Sequence, residues 1–116
     1  MKTTAHMQAL EKRIHQLKIQ LQSLGEMRPG SLSRQYNICG KAGCRCKDPH
    51  QPRRHGPYFK LSYVHAGKFT SQFIRPTQVR TVRLQLANYK KFRRWTAQWI
   101  HLALELAKLK LKISVE

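Results

Sequence analysis

The chain has 116 residues, and its 23 lysines and arginines against five acidic residues give it a formal net charge of +18. This length allows one compact domain with extended helices but not two separate cores, because each core would bury too little surface. The many positive charges repel one another unless an anionic partner neutralises them. We expect this partner to be nucleic acid rather than an acidic protein or a membrane surface.

The N-terminus lacks the apolar segment of a signal peptide, and charged residues interrupt the longest apolar stretch. Both features argue against a membrane protein. We therefore predict a cytoplasmic protein with a single domain over 1–116. Its parts are a coiled-coil-like helix in 5–26, a central region in 31–75 and a long basic amphipathic helix in 76–116.

The N-terminal helix is predicted from its apolar periodicity. Its apolar residues, three or four positions apart, fall on one narrow stripe: Met7, Leu10, Ile14, Leu17, Leu21 and Leu24. Such a narrow stripe offers too little apolar surface to stabilise a single helix in water, so we expect a partner helix to cover it. Gly25 is the expected C-terminal stop.

The central region is predicted to form a loop and a small antiparallel sheet. Alternating residues in 58–74, with a glycine-containing turn at 65–68, predict a β-hairpin, and 32–38 is a possible third strand. Glycines and prolines make 39–57 irregular. One hairpin face is expected to carry Phe59, Leu61, Tyr63, Phe69 and Phe73. The other is expected to carry Tyr58, Lys60, Ser62, Lys68, Thr70 and Gln72.

The C-terminal segment is predicted to be one long helix over about 77–112, because Pro76 suits a first helical turn and neither glycine nor proline follows it. Alternation at its end also allows a terminal strand. We expect 77–93 to lie on the hairpin. Residues 95–113 would pair with the N-terminal helix of the same or a second chain, which allows a homodimer through 7–24 and 95–113. The fold class is therefore α+β.

Three closely spaced cysteines, Cys39, Cys44 and Cys46, predict a structural zinc site. An odd number cannot pair fully as disulfides, and zinc is bound by four nitrogen or sulfur ligands in a tetrahedron. His55 is the expected fourth ligand and His50 the alternative. Three reduced thiols in a loop are the simpler interpretation.

The acidic residues predict no catalytic site, because all five are scattered over different elements: Glu11, Glu26, Asp48, Glu105 and Glu116. We therefore expect a protein that is not an enzyme. The basic residues instead suit nucleic-acid contacts, on the polar hairpin face, the zinc loop and the cationic side of the long helix. The candidates are Lys41, Arg45, Lys47, Arg53, Arg54, Lys60, Lys68, Arg80, Arg83, Lys90, Lys91, Arg93 and Arg94.

A series of short motifs extends through most of the chain. In order, it comprises Gly30-Ser31-Leu32, Tyr36, Cys39-Gly40-Lys41, Cys44-Arg45-Cys46, His55-Gly56-Pro57-Tyr58, Leu61-Ser62, Gly67-Lys68 and Asn88-Tyr89-Lys90-Lys91-Phe92. This series, over about 10 to 92, resembles an uncharacterised family of short basic bacterial proteins often encoded near transposases. The resemblance implies a zinc-type core, a mobile-element or phage setting and no catalytic residues. His50 and the Arg53-Arg54 pair depart from the family pattern.

Together these observations predict a zinc-containing DNA-binding accessory factor of a bacterial mobile element or phage, associated with the nucleoid. DNA is favoured over RNA as the ligand. Two alternatives stay open at this point. One is a protein-interaction subunit that docks a transposase or recombinase through its helices, and the other is an RNA-binding accessory protein.

Overall fold

The computed structural model describes residues 2–37 and 39–115, and it has the predicted α+β architecture. The elements in chain order are α1 (Lys2–Gln22), β1 (Ser31–Asn37), a 3-10 turn (Arg45–Lys47), β2 (His55–His65), β3 (Lys68–Ile74), a second 3-10 turn (Pro76–Gln78) and α2 (Val79–Val115). The strands form one antiparallel sheet in the order β1-β2-β3. The possible third strand is thus present as β1, although Ile38, its predicted last residue, lies outside the described residues.

The chain divides into two compact units. A helical unit comprises residues 1–27 and 87–116, and a sheet unit comprises residues 28–86. The single domain over 1–116 stays a prediction. Within the described residues, neither helix has both the length and the apolar character needed to cross a membrane.

In the helical unit, α1 pairs with the C-terminal part of α2 in the same chain. Leu17 is fully buried and Leu10 and Ile14 are nearly so, as the predicted stripe requires. At the edge of this contact Arg13 donates a hydrogen bond of 3.4 Å to the side chain of Gln98. The Lys18 ammonium lies 5.2 Å from the ring centre of Trp99. The expected partner of the N-terminal helix is therefore present within the chain.

The N-terminal helix ends earlier than its glycine suggested. α1 stops at Gln22, where the Ser23 hydroxyl donates a 2.6 Å hydrogen bond to the carbonyl of Gln20. The amide of Leu24 bonds to the carbonyl of Leu21 at 3.2 Å, so the last turn tightens before Gly25 is reached. Gly25 as the helix stop was wrong, because the Ser23 hydroxyl and the amides of Ser23 and Leu24 already bond carbonyls of the last turn.

In the sheet unit, one face of the sheet packs against the first turns of α2. Leu61 is fully buried in a cluster with Val82 and Leu86, and Leu32, Tyr63 and Ile74 pack around it. The prediction that this part of the long helix lies on the hairpin is confirmed for Val82 and Leu86. The helix continues to Val115, so the alternative of a terminal strand is wrong.

The predicted assignment of hairpin faces was wrong for β3. The turn contains only Ala66 and Gly67, both with positive φ (52° and 76°), as tight two-residue hairpin turns require. The resulting register pairs Val64 with Phe69 and Lys60 with Phe73. Directly paired residues share a face, and successive residues alternate. Phe69 and Phe73 therefore lie on the face opposite Leu61.

Candidate metal centre and basic surface

Four potential metal ligands converge at one end of the sheet. Cys39 lies just beyond β1, and His55 is the first residue of β2. These two strands pair antiparallel, with Asn37 opposite His55, so the end of β1 lies beside the start of β2. Cys44 and Cys46 come from the connecting loop, at the 3-10 turn Arg45–Lys47.

The ligand atoms of Cys39, Cys44, Cys46 and His55 all lie within 4.8 Å of one another. The sulfurs of Cys39 and Cys46 are 3.5 Å apart, and the sulfur of Cys44 is 3.2 Å from Nε2 of His55. One ion can contact four atoms at this separation, so these residues can hold a metal ion.

The two candidate histidines have different surroundings. Within the described part of the chain, the group of possible ligands takes His55 as its fourth member. The backbone amide of His50 instead donates a 2.9 Å hydrogen bond to a carboxylate oxygen of Asp48, which closes a local turn. His50 is exposed, whereas His55 is half-buried. The geometry therefore favours His55 over His50.

Backbone hydrogen bonds shape the loop that carries the cysteines. The amide of Lys47 donates to the carbonyl of Cys44 at 2.9 Å, and the amide of Arg53 donates to the carbonyl of Arg45 at 3.0 Å. The amide of Cys39 points to the sulfur of Cys46 at 3.4 Å. A hydrogen bond from an amide N–H to a sulfur stabilises the thiolate form, which is the form that binds metal.

The residue that follows His55 must be a glycine. Gly56 has a φ of +131°, and a Cβ placed on it would lie 2.8 Å from the carbonyl oxygen of Gln35 on β1. A side chain here would meet both a strained backbone and a close neighbouring strand. Gly56 therefore lets β2 approach β1 closely enough to bring His55 beside the cysteines.

The local environment shifts the pKa of two cysteines in opposite directions. The backbone amide of Cys46 lowers the pKa of the Cys44 thiol from 9.0 to about 6, with further contributions from the side chains of Cys39, Cys46 and His55. Cys46 is only 1% exposed, and this burial raises the pKa of its thiol. Cys44 is therefore the more readily ionised of the two thiols at neutral pH.

An open concavity of about 840 Å³ lies beside the four ligands. Its lining combines aromatic, polar and cationic side chains with two of the cysteines: Tyr36, Asn37, Cys39, Lys41, Cys44, Arg54, His55 and Tyr58. Tyr36 and Asn37 were not among the predicted functional residues. Their position at the end of β1, just before Cys39, was the available signal.

The predicted nucleic-acid-binding residues are divided between the two units. The loop that carries the cysteines contributes five of them, which are all exposed and belong to the sheet unit: Lys41, Arg45, Lys47, Arg53 and Arg54. Arg80 and Arg83 are exposed on α2 in the same unit, whereas Lys90, Lys91, Arg93 and Arg94 belong to the helical unit.

Two of the predicted nucleic-acid contacts, Lys60 and Lys68, lie on opposite faces of the sheet. The shared polar face proposed for Lys60 and Lys68 was wrong, because Lys60 pairs with Phe73 whereas Lys68 pairs with His65. The alternation along β2 puts these two pairs on opposite faces. Thr70 and Gln72, paired with Tyr63 and Leu61, likewise lie on the face that packs against α2.

Residues 7–84 match a protein family described as a domain of unknown function, DUF6788. The chain belongs to this family. The DUF6788 match includes all four possible metal ligands and β1 to β3, and it ends within the first turns of α2. It thus stops short of the motif at 88–92. Comparison with curated proteins and with solved structures found no match.

DUF6788 membership confirms that the chain has uncharacterised relatives, but it assigns no activity. The link to transposases and the motif pattern stay predictions.

Proposed function

We propose that this protein binds nucleic acid and that a structural zinc ion organises the loop beside the binding surface. The observation that carries the proposal is the charge of the sheet unit, residues 28–86. This unit has twelve lysines and arginines and a single acid, Asp48. Counterion release from a phosphate polymer relieves the repulsion among so many cations, which makes a polyanion the favoured ligand.

Zinc is the metal that suits the donor set. Soft thiolates with one imidazole select zinc among the common structural metals, and zinc–ligand bonds of about 2.0–2.3 Å put the ligand atoms roughly 3.4–3.8 Å apart in a tetrahedron. The separation of 3.5 Å between the sulfurs of Cys39 and Cys46 lies within this range, and that of 3.2 Å between the sulfur of Cys44 and Nε2 of His55 lies just below it.

The zinc would be structural rather than catalytic. Four protein ligands fill a tetrahedral ion and leave no position for water or substrate, and Asp48 is the only acid of the sheet unit. We therefore infer that the protein is not an enzyme. Three thiolates and a neutral imidazole give the zinc site a net charge of about −1, which Lys41, Arg45 and Lys47 offset.

The specific form of the proposal is a DNA-binding accessory factor of a bacterial mobile element or phage. The setting rests on the motif series described above, and the preference for DNA over RNA stays part of the proposal. Exposed arginines and lysines supply phosphate contacts more than base recognition, so binding should depend weakly on sequence.

The test is a gel-shift panel of double-stranded DNA, single-stranded DNA and structured RNA at several salt concentrations, with protein whose zinc content has been measured. Neutralising about six phosphates gives a slope of about −5 for the logarithm of affinity against the logarithm of salt concentration. A slope near zero for every nucleic acid would refute the proposal.

A second candidate function is protein interaction through the helical unit, with a second copy of the chain as the partner. Ile100 and Leu104 lie one helical turn apart on α2 and are 62% and 58% exposed. An apolar pair on the outer side of a paired helix suits a further helix. The homodimer through 7–24 and 95–113 would then use this outer side of 95–113. Sedimentation in high salt, where bridging nucleic acid is released, should show a dimer that Ile100→Asp converts to a monomer.

The interaction hypothesis has a second form, in which the helices dock a transposase or recombinase. A pull-down of that enzyme that survives nuclease and high salt would favour this form. A chain that stays monomeric and retains such an enzyme would exclude the homodimer but keep the interaction subunit.

A further inference from the structure

The outward face of the sheet, opposite Leu61, carries an unusual set of side chains. The register places paired residues from β2 and β3 there: Tyr58, Lys60, Ser62, Val64, Phe69, Ser71 and Phe73. β1 contributes Ser31, Ser33 and Gln35, paired with Ser62, Lys60 and Tyr58. The face thus combines aromatic rings, a valine and one lysine with small hydroxyl residues and one amide.

The aromatic rings of this face are exposed to solvent. Phe69 and Phe73 are 64% and 61% exposed, and Tyr58 is 42% exposed. Val64, which pairs with Phe69, is also exposed at 63%. Large apolar side chains grouped on one open surface are typical of a binding site, whereas single ones are common anywhere.

The rings are arranged with a cation beside them. The rings of Phe73 and Tyr58 meet edge to face, with centroids 6.3 Å apart and an interplanar angle of 70°. The ammonium of Lys60 lies 6.0 Å from the centre of the Phe73 ring. Flat apolar surface and a positive charge therefore occur within one nucleotide's reach of each other, which is the combination that single-stranded nucleic acid requires.

This face also continues into the basic concavity. Tyr58 belongs both to the outward face and to the lining of the concavity, where Lys41 and Arg54 lie. A strand that leaves the rings at Tyr58 would therefore meet two cations next. The sheet unit supplies stacking surface and phosphate contacts along one continuous path.

We propose that the outward face of the sheet binds single-stranded nucleic acid. Unpaired bases stack on Phe69, Phe73 and Tyr58, and Lys60, Lys41 and Arg54 contact the phosphates. This inference rests on the proposed nucleic-acid binding and adds the form of the ligand and the place where its bases bind.

The side chains of this face distinguish a single strand from a duplex. Bases in a duplex are stacked on one another and present only their edges in the grooves, which polar and charged side chains read. A phenylalanine ring exposed on an open sheet face can stack on a base face without disrupting a duplex only where that base is unpaired. Phosphate contacts alone would require no rings.

Charge argues against a second copy of the chain on this face. Two copies placed face to face would bring both Lys60 ammonium groups and the surrounding cations of the sheet unit together. Like charges at an interface oppose association, whereas a polyanion is attracted by the same groups.

The test compares the affinities of the full chain for unstructured oligodeoxythymidine, oligouridine and a DNA hairpin, measured by fluorescence anisotropy at fixed salt. Replacing both rings in Phe69→Ala/Phe73→Ala should weaken binding of both single strands by about 30-fold or more, because each stacked base contributes about fivefold or more to the affinity. Binding to the hairpin stem should change less than twofold. Both rings are exposed, so their removal leaves the core around Leu61 intact.

Two matched variants separate stacking from simple apolar contact. Phe73→Tyr keeps a ring and should retain single-strand affinity, whereas Phe73→Leu keeps an apolar side chain without a ring and should weaken single-strand binding by about fivefold or more. Leu84→Ala removes an equally exposed apolar side chain from α2 in the same unit and should have no effect. Circular dichroism should be the same for all variants.

Each outcome decides between the two proposals. A wild-type chain that binds neither strands nor duplex overturns both. If the wild-type chain binds single strands and the ring variants bind them equally well, the inference about the outward face is overturned and the proposed nucleic-acid binding is kept.

Sedimentation tests the alternative occupant. If Phe69→Ala/Phe73→Ala dissociates a dimer and leaves strand binding intact, the face binds a second copy of the chain. Equal losses for oligodeoxythymidine and oligouridine support a general single-strand site, and a loss confined to one assigns the site to DNA or RNA.

Discussion

Two cysteines separated by a single residue have opposite chemical environments. Cys44 is half-exposed and receives hydrogen bonds that lower the pKa of its thiol to about 6, whereas burial raises the pKa of Cys46. Spacing alone predicted that both would serve as ligands. It could not predict this difference, because the difference depends on which sulfur the folded loop covers.

In metal-free protein, Cys44 should react with iodoacetamide before Cys46. A pKa of about 6 means that the reactive thiolate of Cys44 predominates above that pH and disappears as the pH falls below it. Mass spectrometry of alkylated peptides should therefore show Cys44 labelling that rises with a midpoint near pH 6. Zinc-loaded protein is the control, in which all three cysteines should be protected. Earlier labelling of Cys46 would contradict the assigned environments.

His55→Ala should release the metal, and His50→Ala should not. His55 has Nε2 3.2 Å from the sulfur of Cys44, whereas His50 takes part in a local turn with Asp48. Losing a direct ligand should weaken zinc binding by more than about 100-fold, above the usual cost of losing a supporting hydrogen bond. Zinc content by elemental analysis measures the effect. His55→Cys should restore binding, and equal zinc loss in both alanine variants would refute the assignment.

Gly56→Ala should destabilise the fold, whereas Gly40→Ala should not. The new Cβ at position 56 would lie 2.8 Å from a backbone oxygen at a φ of +131°, and backbone strain of this kind costs about 1–3 kcal/mol. At Gly40 a Cβ would meet nothing within 4 Å. Urea denaturation followed by circular dichroism gives the two free energies of unfolding. Similar values for both variants would mean that β2 does not require the close approach to β1.

At the scale of the elements, periodicity identified the N-terminal helix and the two hairpin strands but not the faces of β3. The long helix was predicted from Pro76 and the absence of later glycine or proline, and the strand β1 was only an open possibility. Alternate aromatic residues occur in β2 and in β3, and period two is the same whether they point to the core or to solvent. The two-residue turn at Ala66 and Gly67 fixes the register and turns Phe69 and Phe73 outward. The cysteine cluster was predictable because its ligands lie close in sequence. The outward face was not, because it depends on that register. The concavity was not predictable either, because it depends on how β1 and β2 pair around the cysteine loop.

The cysteine loop should depend on its metal, and the helices should not. Within 39–54 the only regular structure described is the 3-10 turn, and no residue besides Cys46 is buried there. Beyond a few backbone hydrogen bonds, the proposed zinc would therefore be the main source of order in this loop. Removing zinc with a chelator should therefore speed hydrogen exchange of the amides in 39–54. Amides around Leu10, Ile14 and Leu17 in α1 should keep their protection. Unchanged exchange in the loop would show that it is ordered without a metal.

At the scale of the whole molecule, positive charge is present in both units but is opposed by acids mainly in one. Twelve lysines and arginines of the sheet unit face a single acid, whereas eleven in the helical unit accompany four acids. The total of +18 is thus a poor guide to where a polyanion binds. The sheet unit also holds the metal ligands and the exposed rings, which makes it the expected binding surface.

Charge reversal in the two units should have unequal effects on nucleic-acid binding. Arg53→Glu/Arg54→Glu and Lys108→Glu/Lys110→Glu change the net charge equally, and all four side chains are exposed. If the sheet unit contacts the phosphates, the arginine pair should weaken binding by about 10- to 100-fold and reduce the salt slope by about 2, since each lost contact removes about one released counterion. The lysine pair, near the end of α2, should leave the slope unchanged. Equal losses from both pairs would mean that the ligand responds to net charge alone and that the sheet unit is not a site.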